Sequence, residues 1–173
     1  MMKMNKTEED NIRRLKYTIC AIFVMLLLMP YKEQMAVTEG SVWWTHLTYM
    51  FAHGNLIHIG INAWALLMLH KILMAYRVAV AWVVSVLISY VYYPELPVVG
   101  ASTVIMFMTG YAMPWIKQRG GWASIITIMA CISVGFVIPQ LAGMYHLLCT
   151  VAGFAFFYID RCARTTWTYC VND

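Results

Sequence analysis

Charge is what this sequence has least of. Only 12% of its 173 residues are Asp, Glu, Lys or Arg, against about 25% in an average soluble domain. Beyond the charged first 16 residues the shortfall runs the rest of the length, alongside 62% apolar residues and a mean hydropathy of +0.67 overall. That excludes a soluble domain with one added anchor and indicates a single-domain, polytopic membrane protein. The net charge of +4 sits at the ends of apolar segments and not in one patch, which argues against nucleic acid as a partner. No CxxC pair is present, and the cysteines at 20, 131, 149, 162 and 170 are scattered and odd in number, so neither a disulfide framework nor a cysteine metal site is expected. HExxH is absent too, and no metal or other cofactor is expected. No small-residue cleavage site follows the polar start "MMKMNKTEEDNIRRLK", so the first apolar run is expected to stay as a span. No internal repeat or low-complexity tract is evident.

What the sequence has is apolar segments of nearly membrane-spanning length. A spanning helix needs about 20 mostly apolar residues, with about 17–25 tolerated. Six stretches approach that: 15–30, 52–70, 76–93, 101–116, 121–138 and 142–159. The expected fold is all-α, six transmembrane helices in one membrane domain over 15–160, with tails at 1–14 and 161–173. The first span ends at Pro30. The longest connection, 31–48, carries the interfacial aromatics of "SVWWTHLTY". With both termini cytoplasmic, Lys3, Lys6, Arg13, Arg14, Lys16, Lys71, Arg77, Lys117, Arg119, Arg161 and Arg164 lie inside. Of the 12 basic residues only Lys32 falls outside. The positive-inside rule favours that arrangement. Short tails and a minimal core point to a bacterial inner membrane.

Polar groups in hydrocarbon are costly unless they have a partner or a function. "FAHGNLIHIGIN" at 51–62 places His53, His58 and Asn62 in the second segment, with His58 and Asn62 on one helix face. A start near His53 puts them about 8–14 Å below the beginning of that helix. The fourth helix, from Ser102 to about Pro114–Lys117, is about 21 Å long at 1.5 Å per residue. The hydrocarbon core is about 30 Å thick, so the start of the helix is expected below the outer surface. Gly100 lets the preceding loop turn sharply. Ser102 sits at the helix N-terminus, where a developing negative charge is favoured. His146 lies just inside the sixth helix, on the same side of the membrane. A nucleophile, a base and two hydrogen-bond donors are the parts of an acyl-transfer site.

These residues resemble the rhomboid family of intramembrane serine proteases over about residues 42–160. The resemblance rests on "HGNLIHIGIN", on "GAST" against the family's Gly-x-Ser-Gly, and on the His146 helix. It implies a six-helix rhomboid-like bundle and cleavage of peptide bonds in or near transmembrane segments of membrane proteins. By that resemblance Ser102 is the nucleophile and His146 the general base of a dyad without a carboxylate. His58 and Asn62 form the oxyanion hole with a backbone N–H near Ser102, and His53 braces the first loop. Thr103 stands in place of the motif's second glycine. Met106 replaces a common tyrosine, Cys149 replaces a glycine, and Thr45 stands where a Trp-Arg pair is common.

Plainer readings compete. A membrane serine often bonds its own backbone, and a His/Asn pair often serves as interhelical glue. His46 and His70 read as solvated interface residues. Trp64, Met68, Trp82 and Tyr90 read as packing or lipid-facing surface, and Gly54, Gly60, Gly110 and Gly135 as close-packing positions. Two functions follow: an intramembrane serine endopeptidase, or a catalytically inactive rhomboid-like protein that binds or escorts membrane clients.

Overall fold

The computed structural model describes residues 6–92, 96–118, 121–137 and 142–172, without the side chains at 123, 124, 127, 131, 134 and 166–172. Lys3, Arg119 and the side chains of Cys131 and Cys170 therefore lie outside the described residues. Six long helices account for most of the described chain: α1 (Lys6–Leu28), α2 (Leu56–Leu69), α3 (Ala75–Val91), α4 (Ser102–Gln118), α5 (Trp122–Val137) and α6 (Gly143–Asn172). Short helices Lys32–Met35 and Trp43–Thr48 fill the first long connection. Among the described residues there is no strand, only one isolated antiparallel bridge between Val37 and Val98. The protein is all-helical.

Each long helix overlaps one of the six apolar segments, but several ends differ from expectation. The side chain of Asn55 accepts the backbone N–H of His58 at 2.8 Å, capping α2 and fixing its start at Leu56. His53 therefore precedes the helix. His58 is only its third residue, so His58 and Asn62 lie closer to its start than a beginning at His53 implies. Helix α4 continues through Pro114 to Gln118 and has 17 residues, or about 25 Å. That is longer than expected, yet still short of an about 30 Å hydrocarbon core. Helix α6 runs unbroken to Asn172, so the boundary at 160 falls inside a helix.

Helix α4 is the centre of the bundle, with Thr103, Ile105, Phe107, Met108, Gly110, Tyr111 and Ala112 all buried. It packs most extensively on α6. A Cβ on Gly110 would meet the Thr150 carbonyl oxygen at 2.0 Å, and one on Gly153 would meet that of Phe107 at 1.9 Å. Only hydrogen at these two positions lets the backbones come so close. Gly60, by contrast, is exposed with nothing within 4 Å of a Cβ, so it is not a close-packing position.

The contacts also fix helix directions. Thr103 and Tyr145 both approach Tyr49, Phe107 meets Phe156, and Trp115 meets Phe157. Contacts advance along α4 and α6 together, so these helices are parallel. Helix α2 follows the same direction: His58 and Asn62 face Gly100, and Leu66, further along, packs with Ala101 and Ile105. Helix α3 runs the other way, since Ser85 faces Cys149 while Arg77 reaches Asp160.

Large apolar side chains point outward on several helices. Ile19, Phe23 and Leu27 do so on α1, Ile57, Ile61, Trp64 and Met68 on α2, and Val83, Leu87 and Val91 on α3. By length and composition one helix among the described residues, Gly143–Thr165, is apolar enough to cross a membrane, with mean hydropathy 1.2. Shorter apolar helices include Leu56–Ile72 and Ala75–Val91.

Candidate active site

The site is assembled on the turn that leads into α4. Val98 exchanges two 3.0 Å backbone hydrogen bonds with Val37, and the Gly100 amide donates to the Tyr49 carbonyl at 2.9 Å. These bonds clamp the approach to Ser102 against the first connection. Gly100 has φ +123°, a conformation side chains rarely adopt. It also faces α2: a Cβ there would lie 2.6 Å from His58 Cε1, 2.9 Å from His58 Nε2 and 3.6 Å from Asn62 Nδ2. The backbone immediately before Ser102 thus rests against His58 and Asn62 of α2.

His53 ties this arrangement together from behind. It is fully buried, its Nε2 lies 2.8 Å from Asn62 Nδ2, and the Ala101 amide is 3.4 Å from the same nitrogen. With Nε2 as the acceptor, Asn62 spends one amide hydrogen on His53 and keeps a second. The hydrogen bonds of His53 hold Asn62 and the turn before Ser102.

Ser102 is the first residue of α4, and His146 the fourth of α6. Because α4 and α6 are parallel, following their contacts back towards both N-termini puts these two residues at the same level. The His58 and His53 rings are 5.0 Å apart. Ser102, His58 and His146 are half-buried, whereas Asn62 is buried. The four sequence-derived residues therefore gather at one end of the bundle. Among the described residues no hydrogen bond joins the Ser102 hydroxyl to His146.

Thr103, Cys149 and Met106, behind the site, are well packed. The Tyr49 hydroxyl donates towards Thr103 Oγ1 at 3.2 Å and towards the Ser85 carbonyl at 3.3 Å. Cys149 is buried 3.9 Å from Ser85 Oγ, and Met106 packs at the edge of the Ala81–Phe107–Met108 cluster. His46 is not solvated: it is 2% exposed, shares a 2.9 Å hydrogen bond with Ser89 and stacks on Tyr90 at 4.0 Å. Burial holds its pKa below the ordinary 6.5. His70 is half-buried, its Nδ1 2.6 Å from the Leu67 carbonyl.

Sequence reasoning missed Asn55, whose capping role is legible as an Asn three residues before the bonded amide. It also missed the contributions of Tyr49, Val37 and Ala101, which act through backbone atoms or at long range and leave no side-chain signature. No protein-family model matches the chain, and no curated protein matches it.

Proposed function

We propose that the chain is a six-span, rhomboid-type intramembrane serine endopeptidase that cleaves peptide bonds in or near transmembrane segments of membrane proteins. The observation that carries this reading is the Gly100 turn, which sets the backbone before Ser102 against His58 and Asn62. Ser102 attacks the scissile carbonyl while His146 takes its proton and returns it to the leaving amine. The tetrahedral oxyanion receives hydrogen bonds from His58, from the second Asn62 amide hydrogen and from a backbone N–H at the start of α4.

Six spans are supported by the outward apolar stripes on α1, α2 and α3, which water would penalise and lipid would solvate. Helix α4, buried on most sides, is the expected element to fall short of the membrane surface. Basic groups support the orientation: Arg14 bonds the Lys71 carbonyl and Arg77 pairs with Asp160, both at the end of the bundle away from Ser102. That end is the cytoplasmic one, with both termini inside, in a bacterial inner membrane. The membrane domain spans 15–160, and the distal part of α6 extends from it into the cytoplasm.

A second reading, a non-catalytic protein that binds membrane clients, is favoured by the lack of a Ser102–His146 hydrogen bond among the described residues. Catalytic hydrogen bonds are often long before substrate binds. The test is cleavage of a transmembrane substrate in reconstituted bilayers. Ser102→Ala and His146→Ala are each expected to abolish it, with the double variant no worse than either single, because the pair acts as a unit. Client capture without cleavage by the wild-type protein supports the second reading.

A further inference from the structure

At the end of the bundle opposite Ser102, α3, α4 and α6 enclose a cleft of about 370 Å³. Its wall includes Arg77, whose side chain is 7% exposed. The Arg77 guanidinium is held on every side: Nε donates to the Tyr76 hydroxyl at 2.8 Å, Nη1 to the Ile72 carbonyl at 3.3 Å and Nη2 to Asp160 at 3.4 Å. It also lies 4.5 Å over the Tyr111 ring. Among the described residues Asp160 is the only carboxylate lining the cleft, and Arg164 also binds it, at 3.0 Å. Arg161 and Arg164 stand on the exposed rim. Three arginines thus line the cleft against one carboxylate, two of them paired with it, leaving a surplus of two positive charges in a partly enclosed space.

We infer that this cleft binds a phosphate group, carried by an anionic lipid headgroup or present as free phosphate. Guanidinium forks match phosphate oxygens in pairs, and a desolvated wall strengthens the attraction. Gln118 lines the same cleft and adds a neutral donor. Its place in the bundle suits a headgroup: the outward apolar residues Phe154, Tyr158 and Ile159 of α6 end where Arg161 begins. Basic pockets between spanning helices on the cytoplasmic side are recognised lipid-headgroup sites. The lipid source rests on the six-span reading proposed above; the phosphate chemistry does not.

The test uses the full chain purified in a zwitterionic detergent. Phosphatidylglycerol and phosphatidylcholine with identical acyl chains are compared by native mass spectrometry and thermal unfolding. Inorganic phosphate is compared with chloride at matched ionic strength. Wild-type protein is expected to retain and be stabilised by phosphatidylglycerol, with phosphate competing. Arg161→Gln/Arg164→Gln is expected to weaken binding about tenfold or more, and Arg161→Lys/Arg164→Lys to recover part of it. Phosphate binding that depends on these arginines, with no preference between lipids, assigns the site to free phosphate and leaves the inference standing. If neither probe binds folded wild-type protein better than the folded Gln variant, the inference is overturned, whatever the outcome of the cleavage assay.

Discussion

Gly100 and His58 are in such close contact that a methyl group on Gly100 would stand 2.6 Å from the imidazole Cε1. Two constraints converge on that glycine, its φ of +123° and the ring pressed against it. Gly100→Ala is therefore expected to cost about 1–3 kcal/mol of stability through the backbone and to push His58 away from Ser102. Thermal unfolding and cleavage are measured together. Full activity in Gly100→Ala would show that the His58 position does not matter to the reaction.

Asn62 and His53 divide their tasks differently. Asn62→Ala removes the proposed oxyanion donor and is expected to lower turnover by about 10²–10³ while the protein stays folded. His53→Ala strips the partner from Asn62 and from the Ala101 amide. It is expected to lower both the melting temperature and turnover. In the double variant the turnover losses should fall well short of additive, since His53 acts through Asn62. Additive losses would contradict that route.

The α4–α6 seam should tolerate no side chain. A Cβ at Gly153 has the Phe107 carbonyl oxygen 1.9 Å away. Gly153→Val is expected to destabilise by about 1–3 kcal/mol or more, because backbone on both sides must move. Gly60→Val, on an open face, should leave the unfolding temperature almost unchanged. Equal effects at the two positions would disprove the close approach.

His46 gives stability a pH dependence. Its buried ring resists protonation, whereas in the unfolded chain it takes up a proton near 6.5. Its contribution is thus complete above that value and is lost as pH falls from there towards the depressed folded pKa. The melting temperature should drop as pH falls below about 6.5, and His46→Gln should flatten that slope. An unchanged slope in the variant would remove His46 from the account.

Much of this architecture is legible in one sequence because apolar length alone marks the six long helices. Their ends are not, because local chemistry overrides the pattern. "FAHG" continues an apolar run, but Asn55 caps the helix after it. Pro114 looks like a stop, but α4 continues through it. His58, Asn62, Ser102 and His146 stand out as polar groups in apolar helices, and the structure gathers them at one end. His46 looked like a surface residue because its partner Ser89 is 43 positions away in the chain. The Val37–Val98 bridge and the Tyr49 carbonyl are backbone contacts, which side-chain identity does not encode.

The central claim, that Ser102 is a nucleophile activated by His146, is tested most directly by intact-mass measurement after treatment with a fluorophosphonate. The account predicts a single covalent adduct on wild-type protein, mapping to Ser102 and absent from folded Ser102→Ala and His146→Ala. An adduct that persists in Ser102→Ala, or no adduct on well-folded wild-type protein, would contradict it.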